Sequence, residues 1–138
     1  MSLKSIFAIP FAKQAIKKVY KWANNPHKTQ EKVFQYLVSE GCKTAFGKDH
    51  DFISINNYED FKKRVKVQDY EGLRSYVDRI VAGEENVLWK GKPLYFAKTS
   101  GTTSGAKYIP ITKESMPTHI TAARNALLFY VAETNDAS

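Results

Sequence analysis

Apolar side chains recur at spacings of three and four along several stretches between residues 3 and 82, which predicts a helical region there. In the first stretch, from Ile6 to Trp22, lysines are interleaved with the apolar positions, and Pro10 sets a start or a kink near the front. A second helix is predicted from a cap at Thr29 to about Ser39. Gly41 follows as its stop signal.

Two further helices are predicted from their capping residues. Asn57 precedes a short apolar-periodic stretch that continues to Val65, and Asp69 precedes a longer one over residues 70–82 that Gly83 ends. The run Val87-Leu-Trp89 predicts a brief strand.

The pattern changes after residue 93. The runs Leu94-Tyr-Phe-Ala97 and Tyr108-Ile-Pro-Ile111 predict two short strands, so that residues 94–112 form a hairpin. Ser115 caps a final helix over residues 115–133, which is expected to brace the hairpin. Six residues of that helix are expected to share one face: Met116, Ile120, Ala123, Leu127, Tyr130 and Val131. The predicted fold is therefore mixed α/β and rich in helix.

The loop of the hairpin, Thr99-Ser-Gly-Thr-Thr-Ser-Gly-Ala-Lys107, has the chemistry of a phosphate-binding loop. Gly101 and Gly105 allow backbone conformations closed to other residues and a close approach of a ligand. Successive backbone N–H groups in such a loop form a concave anion site, and Lys107 adds a full positive charge beside it. Each hydroxyl can donate a hydrogen bond to an anionic oxygen, and five residues supply them: Thr99, Ser100, Thr102, Thr103 and Ser104.

Two other interpretations of this loop compete with that one. A P-loop requires G-x-x-x-x-G-K-[ST], whereas three residues separate Gly101 from Gly105, Ala106 precedes the lysine, and Tyr108 stands where Ser or Thr would hold magnesium. The P-loop is therefore excluded. An ordinary hairpin loop remains the alternative, because Ser, Thr and Gly are common turn residues. This loop, however, is longer than the usual two to five residues.

The loop resembles the [ST]-[ST]-G-[ST]-[ST]-x-G-x-x-K phosphate loop of the acyl-adenylate-forming enzymes. Further segments are similar, in the same order, to the auxin-responsive acyl-acid amido synthetase family within that superfamily: Phe46-Gly-Lys-Asp-His50, Tyr58-Glu-Asp-Phe-Lys-Lys-Arg-Val65, Asp69-Tyr70, Val77-Asp-Arg-Ile80, Gly83-Glu-Glu-Asn-Val-Leu88 and Lys107-Tyr-Ile-Pro-Ile-Thr112. Two departures stand out. One residue instead of two separates Gly105 from Lys107, and Val65-Lys-Val67 replaces the family's usual Val-Pro-Val or Val-Pro-Leu.

The resemblance implies an enzyme that activates a carboxylic acid with ATP and Mg²⁺ and joins it to an amino acid. Residues 99–107 would grip the ATP phosphates, and no other catalytic residue is assigned within the chain. Family members are several times longer than 138 residues. The resemblance thus implies that residues 1–138 form a single partial domain, the N-terminal part of the large domain, and that this chain alone is inactive.

Composition and charge limit the classes of function that remain open for this chain. The formal charge of +7 lies largely in residues 13–32 and 62–66, without a nucleic-acid-binding signature, and no apolar run is long enough to cross a membrane. Cys42 is the only cysteine, which excludes a disulfide framework and favours a reduced, cytoplasmic setting. Two alternatives to the enzyme stay open, a non-catalytic interaction module and a basic protein that binds nucleic acid or a membrane surface. If the chain is a partial domain, we also expect it to expose apolar surface and to self-associate.

A few isolated residues could carry chemistry. His50 lies between two aspartates, where a metal role is conceivable, but no second His or Cys stands at ligand spacing, so a surface or hydrogen-bonded histidine is favoured. His119 and Arg124 could approach a ligand, although exposed roles on the last helix are favoured. The basic first helix could lie on an anionic membrane, but docking on its own protein is favoured.

Overall fold

The computed structural model of the chain describes residues 3–99 and 105–136. This part of the chain contains six α-helices and two β-strands in this order: α1 Leu3–Ala23, α2 Pro26–Gly41, α3 Ala45–Asp49, α4 Tyr58–Arg64, α5 Tyr70–Val81, β1 Tyr95–Thr99, β2 Lys107–Ile111 and α6 Met116–Thr134. A 3₁₀ turn at Phe52–Ser54 lies between α3 and α4. The prediction of a helix-rich, mixed α/β fold is confirmed. None of the helices in the described residues has the length and apolar character needed to cross a bilayer.

The chain folds as two compact units. The first contains α1 and α6, and the second comprises residues 31–113, with the division falling inside α2. The single partial domain and the bracing role of the last helix stay predictions.

In the first unit, α1 packs against α6 through a small apolar core. Ile9, Ala12 and Ile16 are buried on α1, and Ala132 is buried on α6, with Leu128 and Phe129 packed against the cluster. Ala12 is completely buried, and its small side chain allows the two helices to approach closely. The predicted docking of the first helix on its own protein is therefore seen.

Most of the α6 residues predicted to share one face are exposed. Ile120, Leu127 and Tyr130 are 61%, 71% and 61% exposed, whereas Ala132 is buried. Of the six, Val131 packs against the α1–α6 core, and Met116 is half-buried. Because α6 is apolar around most of its circumference, it has more than one face that could be buried, and a different one meets α1. Four exposed residues form what is called below the α6 stripe: Ile120, Ala123, Leu127 and Tyr130.

Three buried residues of the second unit, Val38, Phe52 and Ile55, form a core cluster. Phe46 and Phe61 each meet the Phe52 ring edge-on, with ring centroids 5.8 and 6.0 Å away. Such edge-to-face pairs contribute beyond the apolar area that they bury. Cys42 packs against this same cluster as a small apolar side chain.

A buried hydroxyl ties α2 to α3. The Thr44 side chain donates to the Gly41 carbonyl at 2.8 Å and accepts from the Gly47 N–H at 3.0 Å, so this buried group is satisfied in both roles. Gly47 lies against the end of α2, and a Cβ at this position would be 1.9 Å from the Gly41 oxygen. Only glycine fits this contact.

Most of the predicted helix ends are confirmed. The side chains of Asn57 and Asp69 accept from the backbone N–H groups of Asp60 and Gly72, as capping residues do. The prediction for Thr29 is wrong, because α2 begins at Pro26, whose fixed φ and missing N–H suit a first helical position. Ser115 precedes α6 without a capping hydrogen bond from its side chain.

The brief strand predicted at Val87–Trp89 is absent, since this described segment forms a series of bends. Asn86 has a left-handed φ of 57°, and its side chain accepts from the Gly91 N–H at 2.8 Å. The carbonyls of Asn86 and Val87 accept from the N–H groups of Ala45 and Phe46 instead of joining a strand. A closed loop against α3 thus takes the place of the predicted strand.

We expect Gly47→Ala to destabilise the protein strongly, by about 3 kcal/mol or more, because the new methyl group would clash with backbone atoms that cannot move independently. Chemical denaturation followed by circular dichroism measures the change. Gly72→Ala is the matched control, since its Cβ would meet mainly the movable Gln68 side chain. Equal stability of Gly47→Ala and the native chain would contradict the close contact.

Candidate phosphate-binding hairpin

The hairpin predicted over residues 94–112 is present. β1 and β2 pair antiparallel, with Tyr95 opposite Ile111 at the open end and Thr99 opposite Lys107 at the loop end. Beyond the open end, the Leu94 N–H donates to the Ile111 carbonyl at 2.8 Å.

The predicted site residues divide into two groups. Thr99 ends β1, Lys107 begins β2, and Gly105 lies just before β2, so these three are at the base of the loop. The other five lie outside the described residues: Ser100, Gly101, Thr102, Thr103 and Ser104. The structure therefore describes the base of the candidate site and leaves the roles of all eight residues as predictions.

Gly105 has a left-handed backbone with φ of 82° and open space around the position of a Cβ. An L side chain at this φ is strained whatever the available space. The turn into β2 at the base of the loop thus depends on glycine for its backbone conformation.

Tyr70, the first residue of α5, anchors the start of β2. Its hydroxyl accepts a hydrogen bond from the Tyr108 N–H at 2.9 Å. Its ring also lies beneath Lys107, whose Nζ is 5.4 Å from the ring centroid, within the range of a cation–π contact. Two adjacent residues of β2 are therefore held by a single side chain.

Lys107 remains at the loop base despite its unusual spacing from Gly105. Directly opposite residues of an antiparallel pair project on the same face, so Thr99 and Lys107 present a hydroxyl and an ammonium group on one face of the hairpin. Burial is partial for Lys107, and Thr99 is exposed. A donor and a positive charge side by side can bind an anionic oxygen.

Sequence reasoning did not assign Tyr70 a role. The signal was its place in the Asp69-Tyr70 segment of the family resemblance, directly after the helix cap. Nothing in the local pattern could predict that its hydroxyl meets an amide 38 residues away.

The isolated candidates have ordinary structural contacts. His50 forms a hydrogen bond of 2.8 Å between Nδ1 and the Phe46 carbonyl and stacks on the Phe46 ring. At Asp49, the residue before His50, the carboxylate accepts a hydrogen bond from the Tyr76 hydroxyl at 2.8 Å. Burial raises the pKa of Tyr76 above its ordinary value, and this hydrogen bond acts in the same direction. His119 and Arg124 are both exposed on α6, as expected.

Comparison with known proteins identifies the class to which this fold and loop belong. Residues 15–137 match the model of the GH3 family N-terminal domain. Because this match covers most of the chain, the chain belongs to the GH3 family, and the resemblance to the auxin-responsive amido synthetases is confirmed.

Three relatives illustrate the similarity. Indole-3-acetic acid-amido synthetase GH3.15 of Arabidopsis thaliana is 34% identical over 70% of this chain and 16% of its own length. Indole-3-acetic acid-amido synthetase GH3.2 of the same plant is 29% identical, with coverage of 75% and 19%. Jasmonoyl--L-amino acid synthetase JAR4 of Nicotiana attenuata is 25% identical, with coverage of 74% and 18%. The chain thus spans less than a fifth of the length of these relatives.

We expect Tyr70→Phe to loosen the start of β2, because the Tyr108 N–H loses its acceptor while the ring beneath Lys107 is kept. A hydrogen bond of this kind contributes about 1 kcal/mol, so exchange of the Tyr108 amide hydrogen should accelerate about fivefold. Hydrogen exchange measured by NMR reports this rate.

The control is Tyr76→Phe, which removes a hydroxyl from the same helix that bonds Asp49 and not β2. Equal exchange rates at Tyr108 in the native chain and Tyr70→Phe would show that this anchor does not hold the strand.

Proposed function

We propose that this chain supplies the phosphate-gripping hairpin of an ATP-dependent ligase that joins a carboxylic acid to an amino acid. The supporting observation is the base of the loop, where Thr99 and Lys107 are paired and Tyr70 holds the strand on which Lys107 lies. Family membership supports the reaction class, since the relatives are named for amide-forming synthesis from an acid.

The residues of the loop fit the polyphosphate of ATP by their chemistry. Hydroxyl groups, backbone N–H groups and one ammonium group are all hydrogen-bond donors, as an anion with many oxygens requires. ATP supplies the group that activates the carboxylate. Ser100, Thr102, Thr103 and Ser104 would contact the phosphates and hold them in line, and Lys107 would stabilise the charge of the departing pyrophosphate.

Mg²⁺ fits this proposal as an ion bound mainly by the phosphates of ATP. Within the described residues, no three His, Cys, Asp or Glu side chains come together to hold a metal ion. Mg²⁺ in such enzymes is commonly held by substrate phosphates and water with one or two carboxylates. The hairpin's role is therefore to hold the phosphate oxygens, to which the ion would bind.

The whole enzyme in this proposal is cytoplasmic and larger than the present chain, which we propose to be inactive alone. Its substrates are a small carboxylic acid and an amino acid. The acid cannot be carried over from a relative, because the relatives are named for different acids, indole-3-acetic acid and the jasmonoyl group.

In a synthetase containing this segment, we expect Thr102→Ala to slow ATP–pyrophosphate exchange by one to two orders of magnitude, about 1.4 to 2.8 kcal/mol, because one phosphate contact is lost. Lys107→Gln should reduce the rate in the same direction. Lys98→Gln is the matched control, since Lys98 is an exposed lysine of the same hairpin one position away from the Thr99–Lys107 pair. Full exchange activity in Thr102→Ala and Lys107→Gln would refute the phosphate-binding role.

We also propose that the chain self-associates weakly through the α6 stripe. The stripe carries no charged side chain, so two copies can meet there without burying unpaired ions. From Ile120 to Tyr130 the stripe spans about 15 Å of α6. With a helix width of about 10 Å, the footprint is roughly 150 Å², well below the ~800 Å² per partner of a stable complex.

Sedimentation velocity over a range of concentrations should therefore show a weak, reversible dimer that Leu127→Glu abolishes, because a carboxylate on the stripe cannot be buried unpaired. Ile53→Glu is the control, since Ile53 is an exposed apolar residue in the other unit. Equal loss of the dimer in both variants would show that association depends on exposed apolar surface in general and not on the α6 stripe.

A further inference from the structure

We propose that the exposed side of α1 binds the surface of an anionic lipid bilayer. Docking against α6 uses only one strip of α1, the one that contains Ile9, Ala12 and Ile16. Two other strips lie outside that core and are exposed, and their combination of aromatic and basic residues points to this partner.

The first strip is aromatic. Phe7, Phe11 and Trp22 are 74%, 59% and 54% exposed. At 3.6 residues per turn they fall within about 60° of the helix circumference, outside the buried strip. Three large rings in one exposed row form an apolar surface that water solvates poorly, and Phe and Trp are the side chains that enter a membrane interface.

The second strip is basic and runs beside the first. Lys13, Lys17 and Lys21 follow one another at intervals of four residues and are all exposed. Lys18 lies within the aromatic row itself, where its long stem can cover apolar surface while the ammonium stays in water. Aromatic residues next to a row of lysines are the composition of a helix that lies in the interface of an anionic membrane.

The charge of this segment has one sign only. Residues 1–30 contain no Asp or Glu, and the first acidic residue of the chain is Glu31. The lysines of α1 therefore have no acidic neighbour on their own helix. Their positive field favours a partner that is both anionic and apolar beneath its charged surface, as a bilayer with anionic headgroups is.

A groove lined by two residues of the aromatic row, Phe11 and Trp22, adds to this surface. It has a volume of about 300 Å³, and part of α6 within the same unit forms its other wall. Lys18 and Arg124 both line it. Cations are thus available on both sides of the aromatic row, from the lysine strip and from α6.

The α6 stripe does not share these properties. Its exposed residues are apolar but have no lysine row beside them. The prediction is therefore specific: bilayer binding requires the α1 surface, depends on anionic lipid and weakens as salt screens the charges.

Flotation of the 138-residue chain with lipid vesicles tests the proposal. Binding is expected to vesicles of phosphatidylcholine and phosphatidylglycerol in equal parts and to be at least tenfold weaker with phosphatidylcholine alone. In the Trp89→Phe background the remaining tryptophan, Trp22, should shift its emission to the blue on binding and be quenched by brominated lipid. Absence of binding, or of any change in Trp22 emission, would overturn the proposal.

Matched variants test whether binding depends on the two strips themselves or only on the net charge and apolar surface of the chain. Phe7→Ala with Phe11→Ala should weaken binding at least tenfold, whereas Ile120→Ala with Leu127→Ala on α6 should not. Replacing Lys13, Lys17 and Lys21 by Gln should weaken it about 100-fold. Replacing Lys63, Lys66 and Lys98 by Gln, with the same change in net charge, should have little effect.

Several results would overturn the proposal. Equal losses in both triple-lysine variants would indicate attraction by net charge alone, which a matched DNA-binding titration would reveal as well. If the two phenylalanine changes altered the sedimentation of the chain and left vesicle binding intact, the aromatic row would be a protein contact. Circular dichroism checks that every variant is folded. This is expected because all of the substituted side chains are exposed except that of the half-buried Trp89, where Phe keeps an aromatic ring.

Discussion

The hydrogen bond from the Tyr108 N–H to the Tyr70 hydroxyl is the contact on which the candidate site depends. A two-stranded hairpin is marginally stable by itself in water, because it buries little apolar surface. β1 and β2 form such a two-stranded sheet. Their order therefore depends on a third element, and α5 provides it through a side chain at its own first turn. The Asp69 side chain caps that turn, and Tyr70 lies in it. The capping hydrogen bond therefore helps to hold Tyr70 where its hydroxyl accepts from β2.

The sequence predicts those features whose causes are local. Asn57 and Asp69 are recognisable as caps because a side-chain acceptor followed by a periodic apolar run is a short-range signal. The hairpin is recognisable for a similar reason, since two β-prone runs flank a segment rich in Gly, Ser and Thr. The family resemblance comes from many such short segments in order, and the match over residues 15–137 confirms it.

The features that the sequence could not predict depend on contacts between distant segments. The orientation of α6 depends on which of its apolar faces meets α1, and periodicity cannot choose between two similar faces. Val87 has the composition of a strand residue, yet its carbonyl bonds the N–H of Phe46 and its side chain is buried in a loop. Tyr70 is the clearest case for the site, because its hydroxyl acts 38 positions away from its own place in the chain.

Apolar exposure alone does not identify a partner, and the first unit shows why charge must be considered with it. The α6 stripe and the aromatic row of α1 each expose three large apolar side chains by more than half. The stripe is uncharged, so a matching apolar surface can cover it without ion desolvation, and a second copy satisfies that condition. The aromatic row is bordered by lysines whose ammonium groups must remain hydrated or meet an anion. A bilayer interface accommodates both needs at once, with headgroup charge at the level of the lysines and hydrocarbon below the rings. The difference in charge, and not the amount of apolar surface, therefore assigns the two faces of the same helix pair to different partners.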